Sequence, residues 1–224
     1  MIPLRDTQPS NGRPLATAAI IAINILIFLY EFSLEPFSQN HFIASYAIIP
    51  AKFEYMDLLT SMFLHGGWMH VIGNMWFLWI YGDNVEDVLG HSRFVLFYLL
   101  CGIAAGLVQV AAYPGSRIPT VGASGAIAGV MGAYLIKFPH SRILTLVPIF
   151  IFFTTMEIPA VFMLLYWFVI QLFSGVGSIG SSNVSHGGVA WFAHIGGFLA
   201  GMVLIKVMGT KDRYCNRPEY HWKQ

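Results

Sequence analysis

Apolar runs recur along this chain, and polar or Pro/Gly-rich stretches separate them. The runs cover residues 16–32, 68–82, 94–113, 124–138, 158–173 and 189–208. A helix crossing a bilayer needs about twenty apolar residues, with a lower limit near seventeen. The pattern therefore predicts an all-α polytopic membrane protein with six transmembrane helices. Residues 33–67 form a long first connection, partly apolar and aromatic, broken by Pro36 and Pro50. It is too hydrophobic for a free aqueous loop and reads as interfacial, with short helical pieces. DNVEDVLGHSR, residues 83–93, reads as a short polar connector whose Glu86 and Asp87 occupy a solvated turn. Residues 140–155 read as a turn and an interfacial return, and 174–188 as a flexible Gly/Ser loop. The run at 124–138 is short for a full crossing. A helix starting partway down would open its N-terminus into a cavity, where irregular backbone is tolerated at membrane depth.

Composition agrees with this organisation. Of 224 residues, 56% are hydrophobic and only 10% charged, whereas a soluble domain carries about 25% charged residues. A net charge of +1 offers no broad basic face for nucleic acid. Cys101 lies in an apolar run and Cys215 in a polar tail, so neither a structural disulfide nor a metal-type cysteine spacing is expected. No small-residue cleavage site follows the first apolar run, which reads as a retained span. The expected division is an N-terminal cytoplasmic segment (1–15), a membrane domain (16–209) and a cytoplasmic tail (210–224), without an appended soluble domain. Six spans place both termini on one side. Of the 12 Lys and Arg residues, only Lys52 and Arg117 then fall on the other side. The bias of basic residues makes the termini cytoplasmic.

Polar groups inside apolar runs are costly and raise the functional question. HGGWMHVIGN carries His65, His70 and Asn74, with His70 and Asn74 at i, i+4 on one helix face. TVGASGAIAGV carries Ser124 between Gly122 and Gly125, and WFAHIGGFLAG carries His194. Ser124, His70, Asn74 and His194 all fall at the outer ends of their spans. Ser124, Ala128 and Gly132 form one small-residue stripe; His194, Gly197 and Gly201 form another, with Gly197 and Gly201 as a GxxxG pair that permits close helix approach. That approach brings a serine hydroxyl to an imidazole, the usual base for a nucleophilic serine. No Asp or Glu is placed to orient His194, so the reading is a dyad. His70, Asn74 and the Ser124 N–H at a helix start are candidate oxyanion donors. Blander readings stand beside these. Ser124 could be a packing serine, His194 and Asn74 interhelical hydrogen-bonding groups, and His70 an interfacial anchor. A metal site from His41, His65 and His70 is disfavoured, because no carboxylate ligand or HExxH accompanies them.

HxxxxHxxxN, GASG and AHxxGxxxG, in that order on six predicted spans, resemble the rhomboid family of intramembrane serine proteases. The resemblance runs from the first span through the sixth. It implies Ser124 as nucleophile and His194 as base, with His70, Asn74 and the Ser124 backbone on the oxyanion side. It also implies a structural His65, and Gly197 and Gly201 as the glycines that seat span six on span four. It further implies cleavage of transmembrane segments of other membrane proteins within the lipid bilayer, without metal or cofactor, and a bacterial inner-membrane location. Two positions depart from the pattern. Ala128 stands where some members carry an aromatic against the catalytic histidine. EYMDLLTSMFLH stands where some carry Trp-Arg. The competing functions are a non-catalytic rhomboid-like protein that binds membrane proteins, and a small transporter or channel. The transporter would need ionisable groups at mid-depth or broken repeat helices.

Overall fold

The computed structural model describes all residues except 1, 11, 150–151, 180–189 and 211–224. Most of that chain is helical: α1 (Leu15–Ser33), α2 (Pro36–Tyr46), α3 (Asp57–Thr60), α4 (Trp68–Leu89), α5 (His91–Ala112), α6 (Ser124–Lys137), α7 (Ala160–Ile179) and α8 (Trp191–Val207). Among the described residues, three helices are long and apolar enough to cross a membrane: Leu15–Ser33, His91–Ala112 and Ala160–Gly177. Their outer faces expose Ile25, Leu26, Leu29, Leu96, Phe162 and Phe173. Apolar side chains on an outer face suit hydrocarbon contact, not water. The much shorter α6 is the innermost element, every residue from Gly125 to Leu135 being buried. A helix apolar all round belongs inside a bundle, and α6 packs against α4, α5, α7 and α8.

Glycine lets α8 approach α6 this closely. A Cβ on Gly197 would collide with the carbonyl oxygen of Gly125, and one on Gly201 with that of Gly129. On the other side, a Cβ on Gly132 would collide with the Phe198 carbonyl. The facing stripe on α6 is therefore Gly125, Gly129 and Gly132, not the Ser124, Ala128 and Gly132 stripe expected from spacing. Gly125 is also closed off from α5, where a Cβ would stand 2.5 Å from that of Ala105.

The expected polar connector at 83–93 is a correction. α4 runs through DNVED to Leu89, the chain turns at Gly90 (φ 81°), and α5 starts at His91. Glu86 is 2% exposed, so the solvated turn is not observed. Its carboxylate accepts from the Ala16 N–H (2.8 Å), the Thr17 N–H (2.7 Å) and the Thr17 hydroxyl (2.6 Å), and it meets His91 Nδ1 at 2.5 Å. The first N–H groups of a helix have no internal acceptor and favour negative charge. A buried carboxylate at the start of α1 meets both needs.

An entirely helical chain was expected, yet the described residues also contain a sheet. Strands β1 (Ile2–Asp6), β2 (Arg142–Ile149) and β3 (Phe152–Pro159) pair antiparallel in the order β1-β2-β3. Ile2 stands opposite Leu146, and Arg142 opposite Pro159. RILTLVPI and FFTTMEIP are rich in β-branched and aromatic residues, which fit a pleated surface. The sheet is tied to the bundle at two points: Trp76 Nε1–H donates to the Pro3 carbonyl (2.7 Å), and the Tyr134 hydroxyl donates to Asp6 (2.5 Å). The strand β3 also takes the beginning of the predicted 158–173 run, while α7 extends beyond its end to Ile179. The rest of the expected Gly/Ser loop and nearly all of the predicted tail, including Cys215, lie outside the described residues.

The first connection is folded onto the bundle. Ala47, Ile48, Leu58, Met62 and Leu64 are buried, and Met62 and Leu58 fill the space left by Gly102 and Gly106 of α5. Ile48 and Thr120 exchange backbone hydrogen bonds (3.1 and 2.8 Å), and the Gly122 N–H donates to the Ser61 carbonyl (2.9 Å). The connection thus braces the segment leading into Ser124 without the Trp-Arg pair.

Candidate active site

Ser124 opens α6 and His194 lies in the first turn of α8. Because α6 and α8 touch backbone to backbone, their ends meet. The Ser124 Oγ lies 2.8 Å from His194 Nε2 across a separation of 70 residues. Ser124 is half-buried, and His194 is buried at 8% exposed. The imidazole is fixed on its other edge by a residue that sequence reasoning missed: Gln171 of α7, whose Oε1 lies 2.6 Å from His194 Nδ1. The Trp167 ring, one turn earlier on α7, stands 5.7 Å from the His194 ring, tilted by 35°. Trp191 meets the ring edge-on at 6.4 Å. The aromatic that Ala128 does not supply from α6 is thus supplied from α7 and α8. A second buried glutamine, Gln109 of α5, accepts from the Ala193 N–H (3.3 Å) and holds the same turn of α8.

His70 and Asn74 reach the same place from α4. A Cβ on Gly122 would stand 2.7 Å from His70 Nε2 and 3.6 Å from Asn74 Nδ2. Gly122 also has φ 124°, a conformation L side chains rarely adopt. The Gly66 N–H points to His70 Nδ1 at 3.4 Å. With Nδ1 accepting, a neutral His70 carries its proton on Nε2 and presents a donor beside Gly122. Asn74 Nδ2 is buried and has no protein partner among the described residues. Buried donors are normally paired, so this N–H₂ is left with an unmet hydrogen-bonding capacity close to Gly122. The Ser124 N–H, in the first turn of α6, has no acceptor within its helix. His70 Nε2 and Asn74 Nδ2 thus stand beside Gly122, two residues before the Ser124 N–H.

His65 is fully buried and meets His70 edge-on, with ring centroids 5.1 Å apart. Burial first, and then His70, lowers its pKa to about 4. It is neutral and adds no charge to the site. Its backbone N–H donates to Glu31 of α1 at 3.3 Å. Gly125, Gly197 and Gly201 form the α6–α8 contact described above. Among the described residues no three His, Cys, Asp or Glu side chains stand close enough to share a metal ion. An apolar cavity of about 600 Å³ between α1 and α4, lined by Ile25, Phe28, Trp68, Trp76 and Trp79, lies apart from Ser124 and carries none of these groups.

Comparison with known proteins gives a concordant set of matches. The family model described as "Rhomboid domain" matches residues 52–211. The chain is 38% identical to "Rhomboid protease GluP" of Bacillus subtilis over 129 residues, 56% of this chain and 25% of that protein. It is 29% identical to "RHOMBOID-like protein 6, mitochondrial" of Arabidopsis thaliana over 210 residues, 87% of this chain and 61% of that protein. It is 33% identical to "Presenilin-associated rhomboid-like protein, mitochondrial" of Mus musculus over 148 residues, 64% of this chain and 38% of that protein. The chain thus spans between a quarter and about three fifths of the length of these relatives.

Proposed function

The chain belongs to the rhomboid family, and from that premise we propose that it is an intramembrane serine endopeptidase that cuts transmembrane segments of other membrane proteins. The observation that carries this reading is the 2.8 Å contact between Ser124 Oγ and His194 Nε2. His194 accepts the hydroxyl proton as Ser124 attacks a peptide carbonyl, and later passes it to the leaving amine. The oxygen of the tetrahedral intermediate takes its hydrogen bonds from His70 Nε2–H, Asn74 Nδ2–H and the Ser124 N–H. One such donor is typically worth about 3 kcal/mol of transition-state stabilisation. Water then releases the acyl group, so the site opens toward the outer aqueous phase. The reaction uses protein groups and water alone.

In this reading α1, α4, α5, α6, α7 and α8 are six spans, with the catalytic groups toward the outer face and both termini in the cytoplasm. The location that goes with it is a bacterial inner membrane. The alternative is a rhomboid-like protein that binds membrane proteins without cutting them. It gives no role to the hydrogen bond between Ser124 and His194.

The test uses purified protein in detergent with a labelled transmembrane substrate. Cleavage lost in both Ser124→Ala and His194→Ala, and untouched by a chelator, supports the dyad. Cleavage that survives Ser124→Ala sinks it. No cleavage by any form across several substrates moves the weight to the binder.

A further inference from the structure

A neutral imidazole carries one proton on two nitrogens, and only the form with a bare Nε2 can take a proton from Ser124. The contact with Ser124 does not choose between the forms, because a hydroxyl donates or accepts equally well. The choice is made at Nδ1, where Gln171 Oε1 stands at 2.6 Å. A carbonyl oxygen only accepts, so this contact demands Nδ1–H and leaves the Nε2 lone pair facing Ser124. Both partners are more than nine-tenths buried, at 5% and 8% exposed, so water is a poor substitute. Trp167, at i−4 on the same face of α7, lies against the ring of His194. One helix thus controls both the plane of the base and the position of its proton.

We propose that Gln171 is the positioning residue of the site, an uncharged third member that holds His194 in the Nδ1–H form. The proposal rests on the protease reading. An amide suits this place better than a carboxylate: it orients the ring without burying a charge, which in a low-dielectric interior is costly unless fully paired. The amide also has a wrong orientation. Turned over, its N–H₂ would donate to Nδ1 and force the proton onto Nε2, and in a soluble serine protease the wrong tautomer costs about 10⁴-fold in kcat.

The test compares the full chain with Gln171→Met and Gln171→Glu in detergent. Nitrogen NMR of labelled histidine, with His194 assigned by its loss in His194→Asn, reads the tautomer without any substrate. The rate of Ser124 modification by a fluorophosphonate, and kcat and KM on a transmembrane substrate, read its consequence. The expected result is Nδ1–H in the wild type and a mixture in Gln171→Met. Modification rate and kcat of that variant fall between about tenfold and a hundredfold at unchanged KM. Gln171→Glu keeps an acceptor at the same reach and stays within about threefold of wild type. A wild type protonated at Nε2, a Gln171→Met protein with unaltered tautomer, or a Gln171→Glu protein as slow as Gln171→Met each overturns the proposal. Should the wild type neither react with the probe nor cleave, the protease reading fails, while the tautomer spectrum still decides the role of Gln171. If Gln171→Met does not fold, the wild-type spectrum and Gln171→Glu decide it.

Discussion

Gly197 separates the stability of the α6–α8 contact from its use in the site. A methyl group there collides with the Gly125 carbonyl. Ordinary contact requires about 3.5 Å, so α8 has to back away by roughly an ångström or more. Overpacking of this kind costs about 1–3 kcal/mol. His194 is three residues from Gly197, about 4.5 Å along the helix at 1.5 Å per residue, so it moves with the displaced segment. The 2.8 Å bond to Ser124 then stretches beyond hydrogen-bond reach, and a misplacement of about 1 Å costs on the order of a hundredfold in rate. Gly201→Ala makes the same kind of collision one turn further from the histidine. The expected outcome is a similar loss of stability in both variants and a turnover loss at least about tenfold larger for Gly197→Ala. Thermal unfolding in detergent and kcat on a transmembrane substrate measure the two quantities. A folded Gly197→Ala protein with wild-type turnover would refute the argument that glycine contact sets the dyad distance.

Gly122→Ala places a methyl 2.7 Å from His70 Nε2 and strains a backbone at φ 124°; kcat is expected to fall about a hundredfold, as for the loss of one oxyanion donor, and unchanged kcat would move the oxyanion elsewhere. Glu86→Ala strips the start of α1 of its buried carboxylate, which accepts from Ala16 and Thr17. It is expected to cost about 3 kcal/mol of unfolding free energy while the folded fraction keeps its turnover, because Glu86 lies about 24 Å down α4 from His70. Asp6 answers to pH: burial lifts its pKa from the ordinary 3.8 to about 6, with the Tyr134 hydrogen bond opposing. Between those values the fold holds a proton that the unfolded chain has released, so stability falls as pH rises through the window, by up to about 3 kcal/mol. Asp6→Asn is therefore expected to match wild type below pH 4 and to unfold at a higher temperature at pH 8; equal midpoints at pH 8 would remove Asp6 from the account.

The candidate groups were legible for a physical reason. A hydroxyl, an amide and two imidazoles inside apolar runs stand out against their cost; Ser124 meets His194, and His70 and Asn74 stand beside Gly122. Gln171 did not stand out because an imidazole base is commonly oriented by an acid, and Gln171 carries no charge. Yet in YWFVIQLF it is a lone amide amid large apolar residues, and that was the available signal. The sheet was hidden by distance: β1 finds its partner about 140 residues along the chain, and no local pattern carries such a pairing. DNVED misled for the opposite reason. Its acid character looked like solvation, whereas the partner of Glu86 is the backbone of another helix, which has no sequence signature.

α1 is held by a carboxylate at each end. Glu86 grips its first turn, and its own Glu31 accepts from the His65 N–H just ahead of α4. Between these points the helix is 19 residues, about 28 Å, close to the thickness of a bilayer's hydrocarbon core. A rod clamped at both ends can flex but cannot piston. The position of His65, and of His70 packed against it, is thereby referred to the first turn of α1. The chain carries its own spacer: the separation between the Glu86 contact and the paired imidazoles is a property of α1.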